Sequence, residues 1–195
     1  MANDAPRAVW TVGHSNHSFE HLAALLQGQR IDTVIDVRSY PYSRYAPQFN
    51  REELAPALTD AGIAYYFQGE ALGGRPDAEN EYDAEGHALY GRMAERPQFR
   101  AAIERILGGA GDHRIALLCA EAQPGECHRR LLVGRVLCGR GAELRHILRD
   151  GSIEVEAEVK LPGEDEQTAL FGEAAQWRSS QSVSRRRRLS ASSAA

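Results

Sequence analysis

The residues best equipped for chemistry lie between positions 119 and 129. The apolar run Ile115-Ala116-Leu117-Leu118 ends on Cys119, Glu121 follows, and Cys127-His128-Arg129 come after a short break. Two thiols, a carboxylate, an imidazole and a guanidinium thus share eleven residues. Three chemistries are open to them. Cys119, Cys127 and His128, with His14 or Glu121 as a further donor, would suit a divalent ion such as zinc. Against that, seven residues separate the cysteines, and neighbours on a helix such as Cys127 and His128 would point about 100° apart. Alternatively, Cys119 at a strand end near a helix N-terminus and arginines would be a nucleophile of lowered pKa, or a buried strand cysteine acting as a small hydrophobe. Cys138 reads as core.

The preferred third reading is anion recognition coupled to acid–base work. Arg38, Arg44, Arg75 and Arg129 would converge on a phosphate-bearing ligand, helped by the amides of a helix beginning near Cys127. His14, Asp36 and Glu121, with Cys119 beside them, would move protons or activate water. Tyr40 and Tyr42 would stack a base or sugar, and Ser15, Ser43, Gly73, Gly74 and His128 complete the binding set. The plainer alternative is that Asp36 and Arg38 pair with each other and order their loop. On the enzyme reading, Arg38→Ala or Glu121→Gln abolishes activity while the protein still melts normally.

These groups need elements to position them. Ala8–Gly13 reads as a strand ending in Gly13-His14-Ser15. Ser18 caps a helix running to Gln29, with Phe19, Leu22, Leu25 and Leu26 on one face. Thr33–Val37 is a second strand, closed by Asp36 and Arg38. Asn50 caps a helix from Arg51 to Ala61, and Ile63–Phe67 is a third strand. Residues 69–80 contain Gly73-Gly74-Arg75-Pro76 and read as loop. Helical patterns follow at 85–95 and 98–107, then a strand over 114–119, a helix over 127–140 and a strand over 143–148. Residues 153–159 suit an exposed edge strand or an extended tail. The alternation predicts an α/β three-layer sandwich with a mainly parallel central sheet, Rossmann-like. Ligands in such sheets sit beyond the C-terminal strand ends at a topological switch point. All four polar clusters map to that edge.

Composition sets limits on partners and place. The 195 residues, 43% of them apolar, suit one domain over 1–150. The net charge is −4 although Arg185–Arg188 add four positive charges near the end, so the body disfavours a broad nucleic-acid-coating surface. Lys160 is the only lysine, which leaves cationic recognition to arginine. Three cysteines, no export-type start and no apolar run near the roughly 20 residues of a membrane span predict a cytoplasmic protein without membrane partners. Residues 151–166 read as acidic linker or edge strand, and 172–195 as a disordered Arg/Ser-rich tail. Between them, Gln167-Thr168-Ala169-Leu170-Phe171 resembles the short peptide by which bacterial replication and repair proteins bind the sliding clamp. The resemblance implies that Gln167, Leu170 and Phe171 contact that partner. Threonine stands where leucine is usual, and the alternative is an apolar patch docking back on the domain.

The motifs Thr11-Val12-Gly13-His14-Ser15-Asn16, Asp36-Val37-Arg38-Ser39-Tyr40-Pro41-Tyr42-Ser43, Phe49-Asn50 and Leu72-Gly73-Gly74-Arg75 also form a set. Cys119-Ala120-Glu121, Pro124-Gly125-Glu126-Cys127-His128-Arg129 and Arg145-His146-Ile147 complete it. Together they resemble the domain-of-unknown-function family 488 from about Val9 to Leu148. The resemblance implies a compact α/β domain with a site at these positions, and leaves the reaction open. Glu70 lies one residue further from Leu72 than the family pattern implies. The Asp36-Val37-Arg38 strand end also resembles rhodanese sulfurtransferases, but their compact cysteine-to-arginine loop is absent, Arg129 lying ten residues beyond Cys119.

The expected function is binding, with possible processing, of a nucleic acid or nucleotide-like phosphate ligand at the C-terminal sheet edge. Recruitment to the sliding clamp in DNA repair would accompany it. If a bond is broken, a hydrolase or lyase is expected. The alternatives are a non-catalytic binding module and a zinc- or cysteine-dependent enzyme.

Overall fold

The computed structural model describes residues 7–156 and 177–183. The Gln167–Phe171 peptide, the Arg185–Arg188 run and most of the expected linker and tail lie outside them. Six strands form one sheet in the order β3-β2-β4-β1-β5-β6. Strands β1 (Ala8–Gly13), β2 (Thr33–Asp36), β3 (Ala64–Phe67), β4 (Ile115–Cys119) and β5 (Glu143–Ile147) are parallel, and β6 (Ile153–Val155) runs antiparallel to β5. The expected three-layer α/β sandwich is the one observed.

Each layer follows from patterning. Central strand β4 is buried along its whole length, as a parallel strand covered on both faces must be. Helices α1 (Phe19–Gly28) and α2 (Arg51–Asp60) cover one face through Leu22, Leu25, Leu26, Leu54 and Leu58, packed on Val12, Val34 and Leu118. The Ser18 hydroxyl caps α1 by accepting from the His21 amide at 3.3 Å. Helix α5 (Pro97–Gly109) covers the other face with Phe99, Ala102, Ile103 and Ile106 at helical spacing, packed with Ile35, Leu117 and Leu137.

Three expected elements differ. Within 69–80, the first residues wind into α3 (Gly69–Leu72), because Gly69 lets the chain pass against the Arg38 carbonyl and the Phe67 ring. The helix expected over 85–95 shrinks to α4 (Tyr90–Ala94). Upstream of it, Gly86 takes a φ of +84° and Asp83 accepts from the His87 amide at 2.8 Å, which builds a turn. The helix expected over 127–140 is a π-helical stretch, Arg129–Gly134, followed by α6 (Arg135–Gly139).

The topology has one reversal. From β1 the chain leaves through α1 toward β2 and β3, on one face. From β4 it leaves through the π-helical stretch toward β5, on the other. Neighbouring strands β1 and β4 therefore send their connections to opposite faces, and a crevice opens beyond their C-terminal ends.

At the β6 edge of the sheet, Glu156 ties the end of that strand to the body. Its carboxylate lies 2.9 Å from Arg130 Nε and 2.7 Å from His146 Nε2, while His146 Nδ1 meets the buried Thr11 hydroxyl at 2.8 Å. Burial raises the Glu156 pKa, but hydrogen bonds from His146 and Arg130 outweigh it and hold the carboxyl below its ordinary value. Its stabilisation is therefore complete above the ordinary glutamate range and is lost as pH falls through the lowered value. Glu156→Gln should lower stability near neutral pH and flatten the loss below about pH 4, as read from urea unfolding across a pH series.

Candidate functional site

The crevice is built on a close approach that only glycine permits. A Cβ on Gly13 would stand 1.8 Å from the Glu121 carbonyl oxygen. The β1–β4 pairing also continues past both strands, with His14 and Ser15 amides donating to the Cys119 and Ala120 carbonyls at 2.9 Å. This fixes where the chain after Cys119 runs.

On that frame the donor groups converge. One ligand atom from each of Cys119, Glu121, Cys127 and His128 lies within 4.8 Å of the others. Cys119 Sγ is 2.8 Å from Glu121 Oε2, Cys127 Sγ is 3.3 Å from the same oxygen, and His128 Nδ1 is 3.6 Å from Cys119 Sγ. The expectation that Cys127 and His128 diverge assumed that both sit on a helix. Cys127 instead ends a turn, its amide donating to Pro124 O at 3.1 Å, and the π-helical stretch starts only at Arg129. Both side chains therefore face one point.

His128 is oriented from behind. Its Nε2 donates to the Val37 carbonyl at 2.8 Å, which leaves Nδ1 as the atom facing the sulfurs. Gly74 packs on the imidazole so closely that a Cβ there would come within 2.6 Å of the His128 Cβ and Cγ. Gly73 is pressed likewise against Ser39 and the Gly69 carbonyl. The two glycines expected to bind ligand thus shape the site by letting two segments touch.

The charges are tightly coupled. Burial pushes the Cys119 thiol up, but hydrogen bonding from Cys127 and the nearness of His128 and Arg129 reverse this and draw it well below its ordinary value. Burial and the neighbouring Cys119 push Cys127 well above its ordinary value. Burial lowers His128, yet Cys119, the Val37 carbonyl and Glu121 raise it overall. A thiolate and a carboxylate oxygen 2.8 Å apart require a proton or a metal cation between them.

The four arginines expected on one anion have separate tasks. Arg38 grips the fully buried Asp36 through Nε at 2.9 Å and Nη2 at 2.6 Å, and its Nη1 reaches the Phe49 carbonyl and His14 Nε2. Tyr65 also donates to Asp36 at 2.7 Å. The pairing alternative describes this geometry. Arg129, fully buried, donates to the Glu121 and Ala122 carbonyls and pins the chain after β4. Arg44 stacks on Tyr45 at 4.7 Å in an exposed loop where Ser43 binds Asn50, and neither these residues nor Tyr42 line the crevice. Arg75 does line it, and its guanidinium has no partner among the described residues.

His14 is buried, stacked on Phe49, and hydrogen-bonded to Ser15 O and Arg38. Burial and the adjacent Arg38 lower its pKa to about 4, so it stays neutral. Ser15, at a φ of +48°, turns the chain away from the crevice wall.

The crevice itself is a cavity of about 580 Å³. Arg75, Tyr40, Glu121, Cys127 and His128 line it, as do several residues the sequence did not single out: Ser39, Tyr90, Glu126 and Ser179–Val183. Tyr90 is 3% exposed, and its hydroxyl has no hydrogen-bond partner among the described residues. Burial, then the two thiols and Glu121, push that phenol far above its ordinary pKa. Among the described residues no helix is long and apolar enough to cross a membrane.

Fold and site define an α/β domain with a polar, thiol-bearing pocket at the switch point of a parallel sheet. The sequence profile described as "Domain of unknown function DUF488" matches residues 18–136, and the chain belongs to that family. The matched segment holds the Asp36-Val37-Arg38, Leu72–Arg75 and Cys119–Arg129 motifs, while Gly13-His14-Ser15 precedes it. Comparisons with curated proteins and with solved structures yield no match.

Removing Arg38 leaves the Asp36 carboxylate buried without its cation. Arg38→Ala should therefore cost about 3–5 kcal/mol of stability in urea unfolding. That outcome would replace the normal melting expected from sequence.

Proposed function

We propose that the cavity is a metal-dependent active site. Cys119, Cys127 and His128 hold a divalent ion such as zinc, and Glu121 supplies a fourth, exchangeable ligand. The observation that carries this reading is the convergence of four donor atoms within 4.8 Å, with His128 Nε2 already fixed on the Val37 carbonyl. A ligating histidine is usually held in this way, its second nitrogen donating to a carbonyl or carboxylate. Thiolate and imidazole donors suit zinc, and a cation answers the repulsion between Cys119 and Glu121.

The arrangement supports a hydrolytic role. Three donors come from buried or partly buried side chains, whereas Glu121 is exposed to the cavity. A bound ion would supply Lewis-acid activation there, and Glu121, when not ligating, would be placed to act as a general base. Tyr90, protonated at neutral pH and with no hydroxyl partner among the described residues, is set to donate to the ligand. Arg75 is the anchor for an anionic group, which fits a small phosphate-bearing substrate. Tyr40 at the rim is compatible with a nucleotide-like one. Recruitment to a sliding clamp through Gln167, Leu170 and Phe171 rests on sequence alone.

The second reading is a Cys119 nucleophile activated by His128, favoured by the lowered Cys119 pKa. Metal content separates the two. Protein purified without chelator should carry stoichiometric metal, and cobalt should give a thiolate charge-transfer band. Cys119→Ser, Cys127→Ser and His128→Ala should each weaken binding by at least about a hundredfold. Gly74→Ala, which displaces His128, should weaken it less. Because both thiols must lose their protons to bind, affinity should fall as pH is lowered. Metal-free protein with no cobalt spectrum would leave the nucleophile reading.

A further inference from the structure

The chain returns to this cavity after residue 176. Trp177 docks its indole N–H on the Leu131 carbonyl at 2.8 Å, packs edge-on against Tyr90 at 6.5 Å and lies under Arg135 at 4.9 Å. Two residues on, Ser179 is 4% exposed and pairs with Ala88 in both directions, its amide donating to Ala88 O at 2.9 Å and its hydroxyl accepting from Ala88 N at 3.0 Å. Val183 closes the segment by donating to Gly86 O at 2.9 Å. Between these anchors, Ser180 donates to the Glu126 carbonyl at 3.1 Å and Gln181 to the Glu126 carboxylate at 3.0 Å. Glu126 immediately precedes Cys127 in the turn that delivers this thiol to the site.

We propose that Trp177–Val183 is a positioning strap of the site, which forms one wall of the cavity and clamps the Glu126–Cys127 turn so that Cys127 faces Cys119 and His128. Trp177 is the anchor, and Ser180 and Gln181 are the grip. The strap limits ligands to those that fit between it and Arg75, a small molecule rather than a continuous strand. The inference rests on this cavity being the functional site, but not on a metal being bound.

The test uses full-length protein kept metal-free with chelator. Iodoacetamide labelling of Cys119, Cys127 and Cys138 is followed residue by residue, and trypsin reports on the bond after Arg178. In the wild type that bond should resist cleavage, because the Ser179 amide is buried and bonded. Trp177→Ala should expose it and speed Cys127 labelling by roughly tenfold or more, as a local opening does, while Cys138 labels at its wild-type rate. The double variant Ser180→Ala/Gln181→Ala keeps the anchor, so Arg178 should stay protected and the melting temperature unchanged while Cys127 still labels faster. The proposal is overturned if the double variant labels at the wild-type rate. It is also overturned if Trp177→Ala leaves Arg178 protected, or frees it with Cys127 unaffected. Absence of metal together with strap-dependent labelling would remove the metal reading and leave the strap standing.

Discussion

Two thiols and a carboxylate share one small volume with an imidazole, and groups of like charge are held together only by positive charge between or behind them. Much of the surrounding structure answers that constraint. Arg129 lies buried behind the sulfurs with its fork on the Glu121 and Ala122 carbonyls, so it supplies both a field and a brace. The Val37 carbonyl turns His128 so that the imidazole faces the sulfurs. Gly13 and Gly74 remove side chains where backbone and imidazole must pass within van der Waals distance. A cation shared by the four groups would complete the same logic, which is why we favour the metal reading over a thiol acting alone.

Arginine does the structural work here, and it does so by hydrogen-bond geometry more than by charge. Arg38 serves Asp36, a backbone carbonyl and His14 at once, so one guanidinium locks the ends of β1 and β2 and the turn at Phe49. Arg130 likewise joins Glu156, at the end of β6, to the Gly125 carbonyl. A planar five-donor group can satisfy several acceptors in a crowded interior, which an ammonium cannot match. Arg38 and Arg129 are buried and bound to acceptors of the frame, whereas Arg75 lines the cavity with no partner for its guanidinium among the described residues.

The site is also discontinuous in sequence. Its walls come from the ends of β2 and β4, from the Gly73-Gly74-Arg75 segment, from α4 and from residues 179–183. Parallel topology brings the strand ends together, while packing of Trp177 against Tyr90 brings the last of these pieces home. Cavity shape is therefore coupled to docking of a segment that no strand order dictates.

Strand–helix alternation, the apolar run into Cys119 and the clustering of polar motifs after strands were enough to read the α/β class and to expect those motifs along one edge of the sheet. Those properties follow from local periodicity and from a general rule of parallel sheets, so sequence carries them. Which of the alternative groupings it offered would form was beyond its reach. Cys127 and His128 converge because a turn, not a helix, holds Cys127. Asp36 and Arg38 pair internally because both are buried at one strand end. Ser179–Val183 line the cavity because Trp177, a lone aromatic in a polar segment, finds a place beside Tyr90. Each of these outcomes depends on distance and burial between residues far apart in the chain, quantities that exist only once the backbone has closed on itself.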